Sequence, residues 1–149
     1  MYRKILVPLD GSELAETALP HAGTIAAASG AELVLIRVCV PRFLGPQGNG
    51  GAVVQEAGDR AEAEMYLQEQ QSRLRAKGIR VSYHVGTGNV ADAIAKQARA
   101  DDVDLIIMST HGRTGTQLWA YGSVAYSMLK VATCSVLVVR TPRPQSADS

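Results

Sequence analysis

Cysteine is scarce: the 149-residue chain has two, Cys39 and Cys134, far apart in sequence. That excludes a disulfide framework, and neither has a Cys or His neighbour at zinc-ligand spacing. Both are expected to be small buried side chains in or beside strands. Net charge is also lacking, at +1, which removes the electrostatic reason to expect nucleic acid or an anionic membrane as a partner. No apolar run approaches the roughly 20 residues of a membrane helix. The opening Met1-Tyr2-Arg3-Lys4 leads into a strand without a signal-peptide profile, so a cytoplasmic location is expected. Two well-known phosphate loops are missing. There is no G-x-x-x-x-G-K-[ST], and no G-x-G-x-x-G follows the first strand, which argues against a P-loop nucleotidase and a dinucleotide-binding site.

What is present is a folded domain's composition, with 46% hydrophobic and 19% charged residues. The length suits one domain, taken as residues 1–141 with a polar tail at 142–149. Five β-rich runs alternate with helical patterns: residues 4–8, 32–38, 79–85, 105–108 and 135–140. Runs one, two, four and five are nearly continuous Val, Ile and Leu, which predicts strands covered on both faces. Run three alternates apolar with polar residues, as at a sheet edge. Helices are predicted over residues 12–29, 59–77, 89–100 and 123–132. Ser12 and Asn89 serve as caps, Gly30 and Gly78 as stops, and Pro20 bends or interrupts the first helix. The expected inward residues are Leu14, Ala18 and Ile25; Ala61, Met65 and Leu74; Ile94 and Ala98; and Val124, Met128 and Val131. Residues 41–58, rich in glycine and proline, are expected to form a long mobile loop or lid. Strand–helix alternation predicts a three-layer α/β domain, a doubly wound five-stranded parallel sheet in the order 3-2-1-4-5.

In such a sheet, ligands bind beyond the carboxyl ends of strands where the strand order reverses. The loop after run one, Pro8-Leu9-Asp10-Gly11-Ser12, and the loop after run four, Ser109-Thr110-His111-Gly112, are expected to face each other across that crevice. Asp10 is placed to accept hydrogen bonds from ribose hydroxyls. Gly112, Gly122 and Ser123 would hold phosphate through close backbone approach and a hydroxyl at a helix N-terminus. Taken singly, each loop also has a plain reading. Asp-Gly-Ser is often a turn with a helix cap, and a glycine-rich loop can be structural only. His111 has no paired carboxylate or nucleophile and is read as shaping its loop. His84, at the end of strand three, and His21 are read as surface residues. Trp119, Tyr121 and Tyr126 lack an accompanying basic patch and are expected to pack against the sheet or a partner subunit.

These residues resemble the universal stress protein family over nearly the whole chain. Ile5-Leu6-Val7-Pro8-Leu9-Asp10-Gly11-Ser12 looks like that family's first strand and loop. Ser109-Thr110-His111-Gly112, nine residues, then Gly122-Ser123 is similar to its ATP-binding pattern of G-x-x-G, nine residues, G-[S/T]. Ser109 departs from it where the pattern has its first glycine; a Cβ there limits φ and ligand approach. The resemblance implies that the backbone of Val38 meets adenine, with Pro8, Leu9 and Met108 walling the base. It implies that Gly112, Gly122, Ser123, Val124 and Ala125 surround the phosphates and that Arg113 reaches them. It also implies a homodimer formed by the last strand, residues 135–140, opening on Ser135 and closing on Arg140. The expected function is an ATP-binding regulatory protein of stress response, taking ATP alone or with Mg²⁺ and working as a nucleotide-dependent switch. A slow ATP hydrolase or phosphotransferase, relying on His111, Asp10 and Ser123, and a nucleotide-free interaction module remain as alternatives.

Overall fold

The computed structural model describes residues 1–40, 56–110 and 123–140. Its centre is a parallel sheet in the order β3-β2-β1-β4-β5, as expected. The strands are β1 (Lys4–Pro8), β2 (Glu32–Cys39), β3 (Val81–Thr87), β4 (Leu105–Ser109) and β5 (Ser135–Val139). Strand β3 starts later than the pattern suggested, because Ile79 still belongs to the turn that leaves Gly78 at a φ of 82°. Alternation along the strands divides the core in two. Ile5, Val7, Leu33, Leu35, Leu105 and Ile107 face one way, and Leu6, Val34, Ile36, Ile106 and Met108 face the other. Burial on both faces holds for β1, β2 and β4. It fails for β5, an edge strand whose Val136, Leu137 and Val138 are only half-buried.

The first helical stretch is divided. Helix α1 (Glu13–Glu16) stops at Thr17, and α2 (Ala18–Ser29) begins there. Pro20 thus falls in the first turn of α2, where its missing N–H forfeits no helical bond. Gly30 ends α2 in the left-handed conformation, its N–H donating to the Ala26 carbonyl at 2.8 Å. The buried stripe is Ala15, Ala18, Ala22 and Ala26, while Leu14 and Ile25 lie on its half-exposed flanks. Small side chains along that stripe let the backbone approach the sheet closely.

Helix α3 (Glu56–Arg75) begins before residue 59, so residues 56–58 are helical and not part of a loop; residues 41–55 lie outside the described residues. Its inward face is Ala63, Leu67, Gln70 and Leu74. Ala61 and Met65, expected inward, are exposed. Gln70 explains the misplaced phase. It is a polar residue in the buried seam, tolerated because its amide donates to Glu16 Oε1 at 3.3 Å.

On the opposite face of the sheet, α4 (Val90–Ala100) is capped by Asn89, whose side chain accepts from the Asp92 N–H at 3.1 Å. It buries Ala91, Ile94, Ala95 and Ala98. Helix α5 (Ser123–Val131) buries Ala125 and Met128, with Val124 half-buried. Val131, expected against the sheet, is in the last turn and 39% exposed. Cys39 and Cys134 are free thiols, half-buried rather than fully enclosed. The proposed tail at 142–149 lies outside the described residues.

Candidate functional site

Strand β1 lies between β2 and β4 and is paired very unequally with them. All five of its residues pair with β2, from Lys4↔Glu32 to Pro8↔Ile36. With β4 only Ile5↔Leu105 and Leu6↔Ile106 are paired, although both strands run on. The β1–β4 ladder therefore stops after Leu6, short of the carboxyl ends, and Pro8 has no N–H to extend it; this is where the strand order reverses, the place where open α/β sheets bind ligands.

The loop leaving β1 is held at each residue. The Leu9 N–H donates to the Ile36 carbonyl at 2.8 Å. Gly11 has a φ of 88°, in the region that favours glycine. Asp10 Oδ1 accepts from the Ser12 N–H at 2.9 Å and from the Ser12 hydroxyl at 2.5 Å. The same Ser12 Oγ accepts from the Ala15 N–H at 3.1 Å and so caps α1. The turn-and-cap reading of this loop is thus realised, and by the same bonds the Asp10 carboxylate is fixed at the end of β1.

Around the crevice, strand alternation puts Pro8, Val38 and Met108 on the α4/α5 side of the sheet. Leu9 differs: its side chain is buried in the core on the α2/α3 side. Met108 is 2% exposed and Ser109 is 5% exposed. The chain then leaves β4 with the Thr110 N–H donating to the Val139 carbonyl at 2.9 Å. Ser123 is the exposed first residue of α5, followed by the half-buried Val124 and the buried Ala125. The first turn of a helix carries unpaired N–H groups and a partial positive charge suited to an anion. His111, Gly112, Arg113, Trp119, Tyr121 and Gly122 lie outside the described residues. Among the described residues no group of three or more His, Cys, Asp or Glu could hold a metal ion.

Two details change: the sheet packing that was one of two alternatives for Tyr126, and the place of His84 in its strand. Tyr126 is 60% exposed and does not pack on the sheet; the Lys130 ammonium lies 4.5 Å from its ring centroid. His84 sits within β3 rather than at its end, with Nε2 at 3.1 Å from Asp101 Oδ2. His21 is exposed, as expected.

Sequence reasoning missed a buried polar cluster beside the β1 loop. Arg37, near the end of β2, is 9% exposed and reaches Glu62 Oε1 of α3 at 3.6 Å. Its guanidinium carbon lies 5.2 Å from the centroid of the Tyr66 ring. Burial, and after it the Glu16 charge, push the Tyr66 phenol well above its ordinary range. Its Oη is buried and finds no hydrogen-bond partner among the described residues, although the Glu16 carboxylate is near enough to disfavour ionisation. An arginine inside an apolar strand was the one available signal.

The universal stress protein family model matches residues 1–140. The chain belongs to the universal stress protein family. Universal stress protein MJ0531 of Methanocaldococcus jannaschii is 32% identical over 146 residues, covering 97% of this chain and 86% of that protein. The crystal structure of a family member from Burkholderia pseudomallei is 30% identical with a TM-score of 0.75, covering 93% of this chain and 96% of the other. A universal stress protein crystallised in complex with cAMP is 26% identical with a TM-score of 0.70, covering 95% and 98% of the two chains. Membership in this family fits the strand order described above. No helix among the described residues is long and apolar enough to cross a membrane.

Proposed function

We propose that this member of the universal stress protein family binds ATP, alone or with Mg²⁺, in the crevice between β1 and β4, and works as a homodimeric nucleotide-dependent switch in stress response. The observation that carries the reading is the end of the β1–β4 ladder at Leu6, where the strand order reverses, next to the clamped Asp10 loop that leaves β1. In this reading Asp10 accepts from the ribose, and Pro8, Met108 and the backbones of Leu9 and Val38 surround adenine. Ser109, Gly112, Arg113, Gly122, Ser123, Val124 and Ala125 take the phosphates. The N-terminus of α5 suits that anion on electrostatic grounds. The relative in complex with cAMP supports an adenine nucleotide as the ligand class. Mg²⁺ would travel on the phosphates, since it keeps several waters and seldom uses an all-protein cage.

The dimer would form along β5, whose half-exposed apolar residues at a sheet edge call for cover. Nucleotide binding to the folded state adds RT ln(1 + [L]/Kd), about 2.7 kcal/mol at 100 times Kd. For a domain of this size that raises Tm by about 5–10 °C. Thermal unfolding with and without millimolar Mg-ATP tests the reading, with Gly122→Ala alongside. A shift in the native protein that the variant loses is expected. The absence of any shift in the native protein overturns the ATP site.

A further inference from the structure

Arg37 is out of place in β2. Leu33, Leu35 and Arg37 share the face that packs on α2 and α3, and the Arg37 side chain is only 10% exposed. A buried guanidinium is costly to desolvate, and its ion pair with Glu62, at 3.6 Å to a side chain that is 65% exposed, is long. A methionine would fill the space without that cost, so the guanidinium calls for another role.

The backbone of Gly11 supplies one. A Cβ placed on Gly11 would lie 3.3 Å from Arg37 Nη1, 3.4 Å from Cζ and 3.5 Å from Nη2. Three nearly equal distances mean that the loop lies over the face of the guanidinium rather than against its edge. Only a residue without a side chain, at a φ of 88°, brings the main chain that close. Gly11 stands between Asp10 and Ser12, the two residues whose side chains clamp each other. The same guanidinium touches Tyr66 and Glu62 of α3, so it fastens the loop to that helix.

We propose that Arg37 is a positioning residue for the nucleotide site. Its planar guanidinium seats residues 10–12 so that Asp10 meets the ribose, and thereby sets how strongly the site selects for ribose hydroxyls. This rests on the reading of Asp10 as the ribose acceptor. Lysine cannot substitute, because an ammonium has no planar face for the loop to lie on.

The test is equilibrium binding of ATP and of 2′,3′-dideoxyATP, which lacks both hydroxyls, to the full chain and to Arg37→Met, Arg37→Lys and Glu62→Gln. The native protein is expected to prefer ATP by about tenfold or more, the worth of one charge-assisted hydrogen bond. Both Arg37 variants are expected to lose most of that preference while holding dideoxyATP as the native protein does. Should Arg37→Met fail to fold, Arg37→Lys and Glu62→Gln carry the test, the latter expected to reduce the ratio by about two- to threefold. A purely structural Arg37 would weaken both nucleotides alike. An unchanged ratio in Arg37→Lys and Glu62→Gln therefore overturns the proposal. So does a native protein that binds ATP and dideoxyATP equally. A native protein that binds neither removes the nucleotide reading itself, a separate and distinguishable result.

Discussion

Replacing Gly11 by alanine isolates the contact on which the β1 loop rests. Two costs add. The first is the backbone: an alanine held at a φ of 88° is strained by about 1–2 kcal/mol. The second is steric, since the new Cβ would sit 3.3 Å from Arg37 Nη1 and the buried guanidinium would have to shift. Because the guanidinium need give by only a few tenths of an ångström, this costs about 1 kcal/mol, the low end for overpacking. Gly30 is the matched control, with a φ of 72° and nothing within 4 Å of a Cβ built there. Gly30→Ala is therefore expected to bear the backbone cost alone. Worked into melting temperature, Gly11→Ala should lower Tm by about 5–10 °C and Gly30→Ala by about 3–5 °C. In an Arg37→Ala background, which empties the space above Gly11, the excess cost of Gly11→Ala should vanish. Differential scanning calorimetry of the four variants and the native protein reads both numbers. An equal loss for the two glycine variants, or an excess that survives in Arg37→Ala, refutes the picture of a loop seated on the guanidinium.

Two further predictions concern stability elsewhere. Asn89→Ala removes the side-chain cap of α4 and should cost about 1 kcal/mol, a Tm fall of about 2–4 °C that a melt detects; no change would mean that the bond to the Asp92 N–H contributes nothing. Burial pushes the thiols of Cys39 and Cys134 above their usual range, and burial with Glu16 does the same for the Tyr66 phenol. Each group holds its proton more tightly folded than unfolded. Their stabilising contribution is thus complete below about pH 8.5 and declines as pH rises through the raised values. Urea midpoints should be level between about pH 7 and 8 and fall above about pH 9; a midpoint that climbs there contradicts the assignment.

Strand order, the interrupted first helix and both side-chain caps were legible in the sequence because each depends on short-range chemistry. Continuous Val, Ile and Leu marks a covered strand, Pro20 cannot sit deep in a helix, and Ser12 and Asn89 carry the oxygen that a helix start needs. The rotational setting of α3 was not legible. Ala61 and Met65 form as plausible a stripe as Ala63 and Leu67, and the true stripe includes Gln70, whose acceptability depends on Glu16 being 54 residues away in sequence but adjacent in space. Val131 misled for the reverse reason: it keeps helical spacing but lies in the last turn, at the limit of the sheet's cover. At the site, Asp10 and Ser12 could be picked out as a pair from their spacing. Arg37 could not, because its partners Gly11, Glu62 and Tyr66 converge only once β2, α3 and the β1 loop are assembled.

The short seam between β1 and β4 also bears on how the chain comes together as it is made. Strands β1, β2 and β3 are all present once residue 87 has emerged from the ribosome, and their ladders are long. The other edge of β1 must wait for Leu105 and Ile106, and for Asp104, whose carboxylate accepts from the Arg3 and Lys4 N–H groups across a sequence separation of about 100 residues. Synthesis at about 5–20 residues per second leaves that edge bare for one to several seconds. The nascent three-stranded leaf would expose the strand destined for the centre of the finished sheet, the kind of surface that chaperones cover and that crowded translation puts at risk.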